Sequence, residues 1–261
     1  MKSRQKKTIA VLTKIMPYLS ISLLVLLWFS ASSVNAELVP SPVMVFERLA
    51  LLFNKPIMKL NLFGHIWASL QRVLLAMLFA TVIGVTLGVM IGWNKKLRLT
   101  VGTLFELIRP IPPIAWLPIV IMWYGIGEFP KVLIVFIGAL MPIVINTYTG
   151  IKMVDPNILD MGRVFNAKNR QLLFEIAIPS AVPVIFAGIK NAMGVGWMVV
   201  LAAEMIGAKA GVGFLITRGM EYYDVALILV GMLSIGIIGA LLSVATDYVE
   251  RWVCPWNQKL D

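Results

Sequence analysis

The chain has 261 residues, of which 59% are apolar and only 14% charged. Soluble domains carry roughly a quarter charged residues, so the composition excludes a soluble enzyme and a disordered chain, and a single cysteine, Cys254, excludes a disulfide scaffold. The net charge of +10, from 23 Lys and Arg against 13 Asp and Glu, sits in blocks between apolar runs; such blocks mark membrane orientation rather than nucleic-acid binding.

Six apolar runs follow in chain order, at residues 17–32, 66–93, 104–126, 131–150, 182–206 and 225–248. Each reaches or approaches the length that crosses about 30 Å of hydrocarbon. Backbone groups in lipid must be satisfied within the segment, so each run is predicted helical. The reading is an all-α membrane protein with six transmembrane helices. Placing the N-terminus inside puts fourteen basic residues on the inner side, Lys2, Arg4, Lys6, Lys7, Lys14 and Lys259 among them. Five remain outside: Arg48, Lys55, Lys59, Lys209 and Arg218. Both termini are therefore expected in the cytoplasm. The first run also reads as a cleavable leader, with a basic start and Val34, Asn35 and Ala36 before Glu37. After it, residues 37–64 are expected to form an outer connector, with an amphipathic stretch at 45–53 lying on the membrane surface.

The third run contains Pro110, Pro112, Pro113 and Pro118. Broken backbone at membrane depth survives where it is buried in protein or lines a cavity. Pro112 and Pro113, with the bulk of Trp116 and Tyr124, are thus candidates for a passage wall, a kinked packing helix being the alternative. Glu204 ends the fifth run, and an ionisable group there is costly unless it meets water or a partner. With Trp197 it is a second candidate for the passage, intersubunit pairing being the alternative. Gly194 and Gly196 are expected to allow close helix approach. Gly207, Gly211 and Gly213 make the next connector a candidate re-entrant or gate loop. Glu106 and Arg109 stand one turn apart and are expected to pair, while Arg72 and Lys190 are expected to snorkel.

Residues 150–183 are the most informative inner segment. Asp155 before Pro156 is an N-cap followed by a first-turn proline, so a helix is predicted from there to about Phe165. Ile158, Met161 and Phe165 fall on one stripe of it. Asn166 stands where a left-handed residue ends a helix. A second helix is predicted over 169–176, with Pro179 and Pro183 breaking or redirecting it. A short helix–turn–helix too polar to insert is either a docking device or a solvated connector.

The same segment resembles the coupling motif of binding-protein-dependent ABC importer permeases: Glu-Ala-Ala, three residues, Gly, nine residues, Ile-x-Leu-Pro. Asp160, Met161 and Gly162 stand at its opening triplet, Asn166, followed by Ala167, at its glycine, and Ile176, Ile178 and Pro179 at its close. The spacing matches throughout while five identities differ, and Met161 is bulkier than the pattern. Residues 109–128 and 194–215 are similar to the taurine, sulfonate and nitrate branch. The resemblance covers about residues 60 to 256. It implies a type I ABC importer permease fold with a cytoplasmic coupling helix, in a bacterial inner membrane. The implied organisation is an N-terminal helix and connector (1–64), a permease core (65–250) and a cytoplasmic tail (251–261). The implied partners are a second copy of the chain, two cytoplasmic ATP-binding subunits, an extracytoplasmic solute-binding protein and membrane lipid. The coupling residues it implies are Asp155, Asp160, Met161, Gly162, Arg163, Asn166, Ala167, Ile176, Ile178 and Pro179. Taurine or an alkanesulfonate is the favoured solute, with nitrate or a heterocyclic vitamin precursor as the alternative.

No Gly-x-x-x-x-Gly-Lys-Ser/Thr loop is present, so ATP is expected on partner chains. His65 is the only histidine and stands far in sequence from Cys254, so neither a metal set nor a cofactor is expected. A membrane enzyme would need a nucleophile with a base, or clustered acids. A stand-alone secondary transporter would carry repeated halves, and no repeat is evident.

Overall fold

A computed structural model describes the backbone of residues 2–257 and the side chains of residues 16 and 18–256. The basic cluster Lys2, Arg4, Lys6, Lys7 and Lys14 has side chains outside the described residues, and Lys259 lies outside them altogether. The regular structure of the described residues is helical, with one isolated bridge between Ile57 and Leu60. In order the helices are α1 (Lys2–Val34), α2 (Pro42–Asn54), α3 (Leu62–Trp93), α4 (Lys95–Ile108) and α5 (Pro113–Tyr124). Then come α6 (Glu128–Lys152), α7 (Pro156–Val164), α8 (Asn169–Met205), α9 (Val212–Glu221) and α10 (Val225–Val253).

Four of these, α3, α6, α8 and α10, are each long and apolar enough to cross a membrane, and α4 with α5 makes a fifth if the bent pair is one span. The described apolar part of α1, Tyr18–Val34, is shorter, although the whole helix extends over 33 residues. The third predicted run is not a straight helix: α4 and α5 meet at 88°. Pro110, Pro112 and Pro113 cause the break, because each lacks an N–H and pushes the preceding residue out of the α region. Pro112 accordingly adopts φ −57°, ψ 136°.

Local signals set most helix ends. Ser41 caps α2 by accepting from the Met44 N–H, Asn61 caps α3 at Gly64, and Asp224 caps α10 at Leu227. Pro179 and Pro183 do not break their helix. α8 runs through both, taking up a wider π turn over Leu172–Ala177 just before Pro179; such a turn relieves the bonding pattern that a proline interrupts.

The core lies where α3, α6 and α8 meet. Val73, Ala76, Met77 and Ala80 from α3 pack on Val135, Ala139 and Ile143 from α6 and on Ala192, Trp197 and Val200 from α8. Small residues let the backbones approach. Gly84, Gly88 and Gly92 form a stripe along α3, and a Cβ at Gly88 would fall 2.5 Å from Thr147 Cβ and 2.8 Å from the Val144 carbonyl oxygen. This is the close-packing pattern membrane helices use in place of a hydrophobic driving force. Of the two predicted close-approach glycines, Gly196 faces Val135 of α6, whereas Gly194 meets open space. A second cluster joins α2, α9 and α10 through Val45, Leu52, Leu215, Leu227 and Val230, and Arg48 ties α2 to Asp224 at 2.6 Å.

Candidate functional site: a docking segment and a polar clasp at opposite ends of two helices

At one end of α6 the chain enters the segment that carries α7. The predicted cap is present: Asp155 Oδ1 accepts from the Asn157 N–H at 2.9 Å, and Pro156 opens the helix. The predicted end is also present. Asn166 has φ 58°, the Asn166 N–H donates to the Arg163 carbonyl, and the Ala167 N–H donates to the Gly162 carbonyl at 3.0 Å. This paired arrangement is a Schellman closure with asparagine in the left-handed position. Lys168 then starts α8, its N–H donating to Gln171 Oε1 at 2.9 Å.

α7 has two unlike faces. Leu159 packs inward on a cluster of Ile151, Val154, Ala177, Ala181 and Ile185. Gly162 lies against the π turn of α8, where a Cβ would come within 2.6 Å of Leu172 and 2.9 Å of Ile176. Ile176 and Ile178 are half-buried beneath this contact and Pro179 is exposed. The outward face carries the predicted stripe: Ile158 is exposed, Met161 is 61% exposed and Phe165 81%. Beside the stripe, Arg163 donates to Asp160 Oδ1 at 2.5 Å, both side chains being exposed. α7 is therefore pinned from within and presents bulky apolar groups and an ion pair outward.

The far end of the same helices holds a buried polar clasp. His65, Ser69 and Arg72 repeat every three to four residues along α3 and so share one face. Arg72 donates through Nε and Nη2 to the two oxygens of Glu128, at 2.6 and 3.0 Å. Through Nη1 it donates to Glu204 Oε1 at 2.5 Å and to the Ala210 carbonyl at 2.9 Å. Glu204 Oε2 accepts from Ser69 Oγ and from the Gly213 N–H, both at 2.9 Å. Lys131 donates to Glu128 at 3.0 Å. Two cations thus face two anions, a balance that buried charges require.

The connector after α8 is stapled by these groups. The Gly211 N–H donates to His65 Nδ1 at 3.3 Å and the Val212 N–H to Ser69 Oγ at 2.9 Å. With His65 Nδ1 accepting, the hydrogen-bond pattern assigns the proton to Nε2, which faces the Ile57 carbonyl at 3.2 Å. Gly211 has φ 126°, and a Cβ there would overlap the Glu204 carboxylate, so only glycine fits.

The sequence-predicted passage residues separate into two groups. Pro112 is exposed and Pro113 half-buried at the α4–α5 bend, Pro113 resting against Gly138. Trp116 packs on Leu117, Val120 and Ile134, and Tyr124 is exposed with its ring 4.9 Å from Phe129. Trp197 and Glu204 face inward instead. Trp197 is buried and its indole donates to the Ile235 carbonyl at 3.0 Å; Glu204 is 1% exposed, with every bond inside the chain. Trp197 also lines a cavity with Gly194, Met198 and Gly239, whereas Glu204 is enclosed by its polar partners. Arg72 does not snorkel, being 6% exposed in the clasp, and Lys190 pairs with Asp247 on α10. Glu106 and Arg109 pair at 3.6 Å as predicted. No group of three or more metal-ligating side chains occurs among the described residues.

The sequence model of one family, described as binding-protein-dependent transport system inner membrane component, matches residues 80–259. The chain is 30% identical to the taurine transport system permease protein of Escherichia coli over 91% of this chain and 88% of that protein. It is 34% identical to the nitrate import permease protein of a Synechocystis species over 94% of this chain and 91% of that protein. Among solved structures it is similar to a chain of the methionine ABC transporter MetNI in an inward-facing conformation. The TM-score is 0.66 at 21% identity, covering 74% of this chain and 95% of that one.

Proposed function

We propose, from the premise that the chain belongs to the binding-protein-dependent transport inner-membrane family, that it is the passage-forming subunit of an ATP-driven importer. The outward face of α7 carries the proposal. Met161 and Phe165 stand exposed beside the Asp160–Arg163 pair, on a helix that Gly162 seats directly against α8. A push on α7 therefore reaches two long helices at once: α6, which leads into the segment, and α8, which leads out of it.

In this reading α7 docks on a cytoplasmic ATP-binding subunit, two such subunits serve a permease dimer, and both termini lie in the cytoplasm. Coupling engages residues from Asp155 to Pro179, and the core spans 65–250. The passage runs beside the α4–α5 bend at Pro112, Pro113, Trp116 and Tyr124, where the backbone is broken as a cavity wall permits. An extracytoplasmic binding protein delivers the solute and supplies most of the selectivity. Taurine or an alkanesulfonate is the proposed solute. Nitrate is the second reading, favoured by the 34% identity to a nitrate import permease.

The Asp160→Ala, Arg163→Ala double variant tests docking. An exposed ion pair is worth about 0–1 kcal/mol, so the fold is expected to persist while contact with the ATPase is lost. ATP-dependent uptake into proteoliposomes should fall severalfold, with unchanged permease yield and thermal stability. Unchanged uptake in a normally assembled complex would contradict the role given to α7.

A further inference from the structure

Both helices that flank the docking segment end in a carboxylate that grips the same guanidinium. α6 carries Glu128 as its first residue and enters the segment about 36 Å away, at 1.5 Å per residue. α8 leaves the segment at Asn169 and carries Glu204 in its last turn. Arg72 comes from neither helix; it stands on α3 and bonds both carboxylates and the Ala210 carbonyl of the connector. Any relative shift of α6 and α8 imposed at α7 must therefore appear at Arg72.

The two limbs of the clasp are unequal. The Glu204 limb is buried, with Ser69 and the Gly213 N–H filling the remaining acceptor capacity. Breaking it would strand charges away from water. The Glu128 limb reaches the surface on its carboxylate side, 64% exposed against 6% for Arg72, so water can take the place of Arg72 on Glu128, while Arg72 keeps Glu204 and the Ala210 carbonyl. The connector between the limbs includes Gly207, at φ 67°, and exposed Lys209.

We propose that Arg72 is the positioning residue of an outer gate: held on Glu128 it keeps the start of α6 against the connector 206–211, where a Cβ at Gly207 would fall 2.7 Å from Ile126, and the transport stroke releases this limb, moving α6 off the connector while the Glu204 limb stays intact. The proposed gate thus has a closed and an open arrangement, as a switch requires, and the Arg72–Glu128 bonds bias it toward the closed one. The inference rests on the reading of α7 as the docking helix.

The test uses the assembled complex of permease, ATP-binding subunits and binding protein, in proteoliposomes, with Cys254→Ser and Ala210→Cys as background, Ala210 being half-buried where Arg72 bonds its carbonyl. Reaction of the new thiol with a membrane-impermeant maleimide is measured without nucleotide and in the vanadate-trapped state. With Glu128 present, labelling is expected to be slow without nucleotide and faster when trapped. Glu128→Gln should raise the nucleotide-free rate about fivefold, the factor that loss of about 1 kcal/mol supplies, and should raise ATP hydrolysis in the absence of binding protein. Ser69→Ala is the structural comparison: it removes bonds of the buried limb and lowers thermal stability without raising idle hydrolysis. Equal labelling of the background protein and its Glu128→Gln variant in both states overturns the gate, while ATP-driven uptake by the parent complex upholds the importer. Absence of ATP-driven uptake by the parent complex overturns the importer reading, and the gate with it.

Discussion

Replacing Glu204 by alanine is expected to cost about 3–5 kcal/mol, the range for removing one partner of a buried ion pair. Arg72 keeps Glu128, but its Nη1 loses a 2.5 Å acceptor at a side chain only 6% exposed. Ser69 Oγ and the Gly213 N–H lose their shared acceptor at the same time, and each unsatisfied buried donor adds its own penalty. The connector would then lose its hold on α8, and the protein should fail to survive detergent extraction as a monodisperse species. Arg72→Ala with Glu204→Ala should be less damaging than the sum of the two single changes, since the double change leaves neither member of that pair stranded. A Glu204→Ala variant as heat-stable as the parent would show that the clasp contributes nothing to the fold.

Gly162→Val carries the second large effect, and it strikes function rather than assembly. The new Cβ would meet Leu172 at 2.6 Å and Ile176 at 2.9 Å. Overpacking of this kind costs about 1–3 kcal/mol. The cheapest relief moves α7, because Leu172 is a buried residue of α8 itself whereas the outer face of α7 is exposed. A displaced docking helix no longer transmits its push, so ATP-dependent uptake should fall by a factor of roughly 5–30, with yield close to that of the parent. The measurement is uptake per reconstituted complex, with ATP hydrolysis recorded in parallel. Full uptake from the valine variant would mean that the close seat of α7 is not required for coupling.

Local chemistry made much of this architecture legible in the sequence. Asp155 with Pro156, and Asn166 ten residues later, carry the start and stop of α7 in their own side chains, and the proline run at 110–113 marks the bend between α4 and α5. The fate of Pro179 was not local, because the π turn just before it lies where α8 packs against Gly162 of α7. The clasp was hidden for a related reason. Arg72 and Glu204 are 132 positions apart, and an arginine in an apolar run reads equally well as one reaching for the interface. The spacing of His65, Ser69 and Arg72 was the available signal, since three polar groups on one face of a membrane helix need polar partners. The glycine stripe at 84, 88 and 92 was likewise readable as a helix-packing face. Bulk at Trp197 and charge at Glu204 say that a partner is needed but not on which side of the helix it lies.

Uptake by purified protein tests the importer reading at its root. The permease is reconstituted with its ATP-binding subunit and binding protein, and entry of labelled taurine, with nitrate in parallel, is followed with and without ATP. Uptake is expected to need ATP, the ATP-binding subunit and the binding protein together. Uptake at full rate by the permease alone, with the ATP-binding subunit left out, would contradict that reading.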